Sequence, residues 1–137
     1  MSRSEYYEDG DDDLWAMIRW RGAVASSIRG RRGQAMLKEL LSALDAMPRK
    51  RLVSGELMRQ GVDGEWDCCT IGCLALARGL DWSDGRENAQ IAIAMNVAEP
   101  LVREIEYLND DYYSHNPEKR FAEMRAWVAS QIAGDKS

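Results

Sequence analysis

Apolar residues recur at intervals of three and four along most of this chain. Polar or glycine-rich breaks cut the pattern into short segments. Leu14, Ile18, Ala25 and Ile28 share a helical stripe with Trp15 beside it. The acids Asp11, Asp12 and Asp13 precede that run, where carboxylates satisfy free N–H groups and complement the helix dipole. A first helix is predicted over about 12–29, broken by Gly30, Arg31, Arg32 and Gly33. Leu37, Leu40, Leu41 and Leu44 predict a second over about 33–47, stopped by Pro48. RKRLVSGELM fits either a short extended piece or one helical turn, and QGVDGEWD reads as a glycine-rich turn.

CCTIGCLALARG follows as a buried helix, with Arg78 and Gly79 marking its C-terminus. LDWSDGRE reads as a loop before two short helices, over about 86–95 and 99–109. NDDYYSHN reads as a polar, aromatic loop. Asn116 then Pro117 suits the cap and first residue of a last helix, striped by Phe121, Met124, Val128 and Ile132 and ending near Gly134. The expectation is an all-α fold: a compact bundle of five or six helices with a helix-turn-helix-like corner. Residues 1–11 form an acidic, disordered tail and 12–137 a single helical domain. The expected core includes Leu14, Trp15, Ile18, Leu37, Leu41, Leu44, Ile71, Leu74, Ala92, Val102, Ile105, Phe121, Trp127 and Val128.

The corner lies in NAQIAIAMNVAEPLVREIEY. Ala92, Asn96, Val97, Val102 and Ile105 match the sparse pattern of the repressor-type helix-turn-helix. A small residue permits close helix approach, and asparagine tolerates the left-handed turn. The chemistry of the second helix is less suited to DNA. Its exposed start would present Glu99, Leu101, Arg103, Glu104 and Glu106, one cation against three anions, and phosphates repel such a surface. Glu99, Arg103, Glu106 and Asp110 also fall on one helical face, where Glu99 and Arg103 can pair.

Charge sharpens the picture. The 137 residues carry a net charge of −5, unevenly placed. Residues 1–16 sum to −5, 17–59 to +7 and 60–137 to −7. The basic block includes Arg29, Arg31, Arg32, Arg49, Lys50 and Arg51, able to meet nucleic acid or an acidic protein surface. The acidic, aromatic stretches are the mirror image. Tyr6, Tyr7, Asp11, Asp12, Glu99, Glu106, Asp110, Asp111 and Tyr112 would make a partner-binding rim, because tyrosine gives contact area at low entropic cost and carboxylates steer toward a basic partner.

Catalysis and metal binding find little footing. The chain has one histidine, His115, and no local nucleophile–histidine–acid set, phosphate loop or dinucleotide fingerprint. Cys69 and Cys73 lie one helical turn apart, but zinc wants four donors and no second cysteine pair exists. No catalytic residue, metal ligand or cofactor is expected. An acidic N-terminus without an apolar core is no secretory signal, no long apolar run suggests a membrane span, and three cysteines need no disulfide. These features point to the cytoplasm.

RWRGAVASSIRGRRGQAMLKELLSALDAMPRKRL, with GCLALARGLD and RAWVASQI, resembles a family of small proteins encoded by bacteriophages and prophages of proteobacteria. The likeness spans about residues 14–133. It implies a phage accessory protein made in the bacterial host cell, and it brings no catalytic residues. The expected function is non-enzymatic: binding a host or phage protein, with inhibition of a nucleic-acid-guided host defence (an anti-CRISPR-like role) as the suited outcome. The rival expectation is a nucleic-acid-binding regulator using 88–107 or the basic block 19–59. Self-association is compatible with either.

Overall fold

The computed structural model describes Arg3 and residues 14–133. Six α-helices and one small hairpin make up the described chain: α1 (Leu14–Arg29), α2 (Arg31–Ala46), β1 (Met58–Gln60), β2 (Trp66–Cys68), α3 (Thr70–Ala77), α4 (Asn88–Met95), α5 (Glu99–Tyr107) and α6 (Pro117–Gln131). The all-α expectation holds, with the hairpin as a minor addition. RKRLVSGELM forms no helical turn: it runs as irregular chain with a bend over residues 54–57, Gly55 at φ 81, and enters β1 at Met58, and QGVDGEWD supplies the hairpin turn. Met58 pairs with Cys68, Arg59 with Asp67 and Gln60 with Trp66.

Helix α2 organises the core. Met36, Leu37, Leu40, Ala43 and Leu44 are all buried, and the helix packs against α3 and α6. Gly30 alone breaks α1 from α2, so Arg31, Arg32 and Gly33 belong to the second helix. Close contact explains Gly33: an added Cβ would lie 1.9 Å from the Ser27 carbonyl oxygen. Helix α3 is buried from Thr70 to Ala75 and slides under the hairpin at Gly72, where a Cβ would meet the Leu57 carbonyl at 1.9 Å. Cys69 caps α3 by accepting the Gly72 N–H at 3.4 Å. Gly79, at φ +77, ends it, with Leu80 N–H bonded back to the Ala75 carbonyl at 2.9 Å. Asn116 caps α6 by accepting from Glu118 and Lys119 N–H, both at 3.0 Å. Buried Arg120 ties that helix to the chain at Leu52, donating to its carbonyl at 2.6 Å.

Three core expectations are corrected. Leu14, Trp15 and Ile18 are exposed, by 64%, 70% and 50%. Helix α1 carries two apolar faces, and packing against α2 and α5 uses the other one. That inner face runs through Ala16, Trp20, Ala23 and Val24, of which only Val24 is fully buried. Leu41 and Trp127 are half-buried against the core. Leu37, Leu44, Ile71, Leu74, Ala92, Val102, Ile105, Phe121 and Val128 are buried as expected.

Candidate interaction surface

The helical corner forms as its residues dictate. Asn96 sits at φ 58, ψ 50, the left-handed conformation that closes α4, and Val97 N–H returns to the Ala92 carbonyl at 3.0 Å. Pro100 lies in the first turn of α5. The second helix, however, is enclosed. No residue from Glu99 to Tyr107 is fully exposed, because α1, α3 and α4 pack around α5. Leu101 and Glu106, expected on a solvent-facing reading surface, are buried. Readout of DNA uses exposed side chains, and α5 offers only partly exposed ones, among them Glu99, Arg103, Glu104 and Tyr107. Glu99 and Arg103 do pair, at 2.6 Å, and the Arg103 guanidinium lies 5.2 Å from the Trp20 ring centre on α1.

The acidic residues expected on a partner rim divide. Glu106 is 2% exposed and Asp110 is largely covered, so the face running from Glu99 to Asp110 turns inward at its far end. Both carboxylates grip Arg3. Asp110 accepts from Arg3 Nε at 2.7 Å and Nη2 at 2.9 Å, and Glu106 accepts from Nη1 at 3.1 Å. Asn88 donates to the Arg3 carbonyl at 2.9 Å. Gly55 N–H and the Asn109 amide also donate to Asp110. Asn109 in turn accepts from the backbone and hydroxyl of buried Thr70. This network ties Arg3, the irregular segment 53–55, α3 and the end of α5 together. Burial alone would raise the Asp110 carboxyl, but Arg3, Gly55 and Asn109 outweigh it and hold Asp110 below the usual carboxylate range. The helix expected to end near 109 runs on: residues 108–112 continue α5 as a π-helical turn into the stretch expected as loop, and that turn delivers Asn109 and Asp110 inward. Asp111 and Tyr112 remain exposed, with Tyr112 between the rings of Tyr107 and Tyr113. Tyr6, Tyr7, Asp11 and Asp12 lie outside the described residues.

The basic block also divides. Arg51 lies 3.1 Å from Asp67, and Arg49 lies 3.7 Å from Asp67 and 3.8 Å from Asp63, so two acids of the hairpin face these two arginines. Lys50 caps the end of α2, donating to the Leu44 and Asp45 carbonyls, and stands over Phe121. Arg59 pairs with Glu56 at 2.7 Å, and five arginines lie on α1 and at its junction with α2. The Arg29 side chain donates to the neutral Ser26 hydroxyl and that of Arg32 to the Asn96 side chain. Arg19, Arg21 and Arg31 have no carboxylate partner among the described residues.

These arginines border an apolar surface that periodicity had assigned to the core. Leu14, Trp15, Ile18 and Met17, the last 55% exposed, form a ridge along the first half of α1. Its second half lines a cleft of about 320 Å³ shared with α5 and α6, with Arg21, Ile28, Arg29, Glu104, Trp127 and Gln131 among its walls. Sequence reasoning missed this surface because an unpartnered apolar stripe and a core stripe have the same spacing.

The cysteines act as packing residues. Cys68, Cys69 and Cys73 are buried and reduced, and burial pushes the Cys69 thiol up to about 11. Among the described residues, no group of three histidine, cysteine or acidic side chains stands close enough to hold a metal ion, and no helix is long and apolar enough to cross a membrane. No protein-family model, curated protein or solved structure matches the chain.

Proposed function

We propose that the chain is a non-enzymatic protein that works by binding another protein. The exposed ridge of Leu14, Trp15, Met17 and Ile18 carries this reading. Clustered large apolar side chains on a surface mark interaction sites, whereas single ones do not. Burying the exposed remainder of each stabilises a complex by on the order of 1 kcal/mol. Four together supply several kcal/mol toward association, before its entropic cost. Enclosure of α5 favours a protein partner over duplex DNA. With the sequence resemblance, the reading extends to a phage-encoded product in the bacterial cytoplasm that binds a host or phage protein. Obstruction of a nucleic-acid-guided defence is its proposed outcome.

The test is affinity capture from bacterial lysate followed by mass spectrometry, using the full chain and a Trp15→Ser/Ile18→Ser variant. Both positions are exposed, so stability should change by no more than about 0.5 kcal/mol per site. The expected result is a protein retained by the parent chain and lost by the variant. Recovery of nucleic acid alone, removed by raised salt, would favour the regulator reading instead.

A further inference from the structure

We propose that the outer face of α1 and the cleft at its second half form one groove, which receives an acidic amphipathic segment of a partner protein; this rests on the protein-binding reading. Leu14, Ile18, Arg21, Ala25 and Ile28 follow one another at spacings of four, three, four and three. They therefore share one helical face. The first two lie on the apolar ridge and the last three line the cleft. Ridge and cleft are thus one continuous track.

The chemistry of the track selects its occupant. Trp127 and Ile28 give the cleft apolar walls, and its volume of about 320 Å³ suits one or two side chains of leucine or phenylalanine size. Arg21 and Arg29 enter the same cleft against the single carboxylate of Glu104. Arg31 and Arg32 follow Arg29 at the junction with α2, with no carboxylate partner among the described residues. A phosphate backbone would satisfy the arginines and leave Leu14 and Ile18 in water. A neutral apolar helix would cover the ridge and leave the arginines uncompensated. A segment with apolar residues on one side and carboxylates flanking them meets both demands, and opposite charge also accelerates the encounter.

The experiment is an NMR titration of the full chain with a defined probe: a helical peptide bearing leucine and phenylalanine on one face and glutamate elsewhere. Its control carries lysine in place of glutamate, and duplex DNA is a third arm. Binding of the glutamate peptide is expected to shift the Trp127 indole resonance and the α1 amides. Arg21→Glu/Arg29→Glu should weaken it roughly tenfold or more, as expected for two charges facing a complementary ligand. The lysine peptide should then bind the doubly substituted chain better than the parent, which separates lost charge complementarity from misfolding. Equal binding of both peptides to the parent chain would overturn the proposal. So would duplex DNA shifting the same resonances, or a concentration-dependent dimer abolished by the same substitutions, which would assign the groove to a second copy. Lysate capture that depends on Trp15 and Ile18, with no glutamate-peptide binding, would sink the acidic-segment assignment and leave the protein-binding reading intact. Glutamate-peptide binding with no captured protein would support the groove and its acidic occupant and place the natural partner outside the lysate used.

Discussion

Arg3 and Asp110, separated by 107 positions, meet in a two-pronged ion pair, Nε and Nη2 each donating to one carboxylate oxygen. Glu106 joins from one turn earlier. The pair joins the start of the chain to a π-helical turn near its other end. Asp110 is already oriented by Gly55 N–H and Asn109, so Arg3 enters a site whose walls are fixed by the scaffold. Removing the guanidinium leaves two largely buried carboxylates side by side.

Arg3→Ala should therefore cost more than an exposed pair would. Breaking a buried pair destabilises by roughly 3–5 kcal/mol, and this one keeps some solvent contact, so about 2 kcal/mol is expected. At this chain length that lowers Tm by roughly 6 °C. Arg3→Lys should recover only part of the loss, because an ammonium cannot span both Asp110 oxygens. Thermal unfolding followed by circular dichroism checks both, and an unchanged Tm for Arg3→Ala would show the contact to be marginal in solution.

The same site predicts an acid dependence. Asp110 titrates below its ordinary value of 3.8 in the folded chain. Its stabilisation is complete above that value and is lost as pH falls through the depressed one. Urea midpoints measured between neutrality and about pH 2 should thus fall at the acid end, and the fall should be shallower in Asp110→Asn. Glu39 and Asp45 are also lowered by their arginine partners, but both are solvent-exposed and should add little.

Two glycines should respond oppositely to alanine. Gly72→Ala drives a methyl into the Leu57 carbonyl and should cost several kcal/mol or prevent folding, since neither α3 nor the hairpin can retreat within the core. Gly22 lies inside α1 with nothing within 4 Å of an added Cβ. Gly22→Ala should stabilise by about 0.5–1 kcal/mol through helix propensity. Denaturant unfolding measures both, and equal effects would contradict the packing described.

Asn96 offers a backbone test. Its left-handed conformation costs a residue with a Cβ roughly 1–2 kcal/mol, which asparagine partly offsets. Asn96→Ala should destabilise by about 1 kcal/mol, while Asn96→Gly should be neutral or slightly stabilising. Matching losses in the two variants would show that the side chain's contact with Arg32, rather than the backbone, sets the cost.

Thiol reagents report on the core. Burial raises the Cys69 thiol to about 11, above its ordinary value of 9.0. The neutral thiol is favoured in the folded chain, so its contribution is present below 9.0 and is lost as pH rises through about 11. Modification of the cysteines by an aromatic disulfide at pH 8 should be slow and should accelerate with urea. A fast reaction with the native chain would contradict the burial of all three.

Local rules determined most of the helices. Stripes, caps and breakers placed α2, α4, α5 and α6 within a few residues, with Asn116, Asn96 and Gly79 at the ends where their side chains or missing Cβ atoms suit the backbone. Periodicity reports that a helix has an apolar face, and it cannot say which of two faces meets the core. On α1 that choice was made by α2 and α5, and it left Leu14, Trp15 and Ile18 outside. Charge runs report composition, and their partners are decided by approach in space. Tertiary contact set Arg49 and Arg51 against Asp63 and Asp67, drew Glu106 and Asp110 inward to Arg3, and left Arg21 and Arg29 of α1 beside a cleft. Side-chain spacing along the chain fixes what each helix can offer; only packing between distant segments decides which offer is taken up and which stays open to a partner.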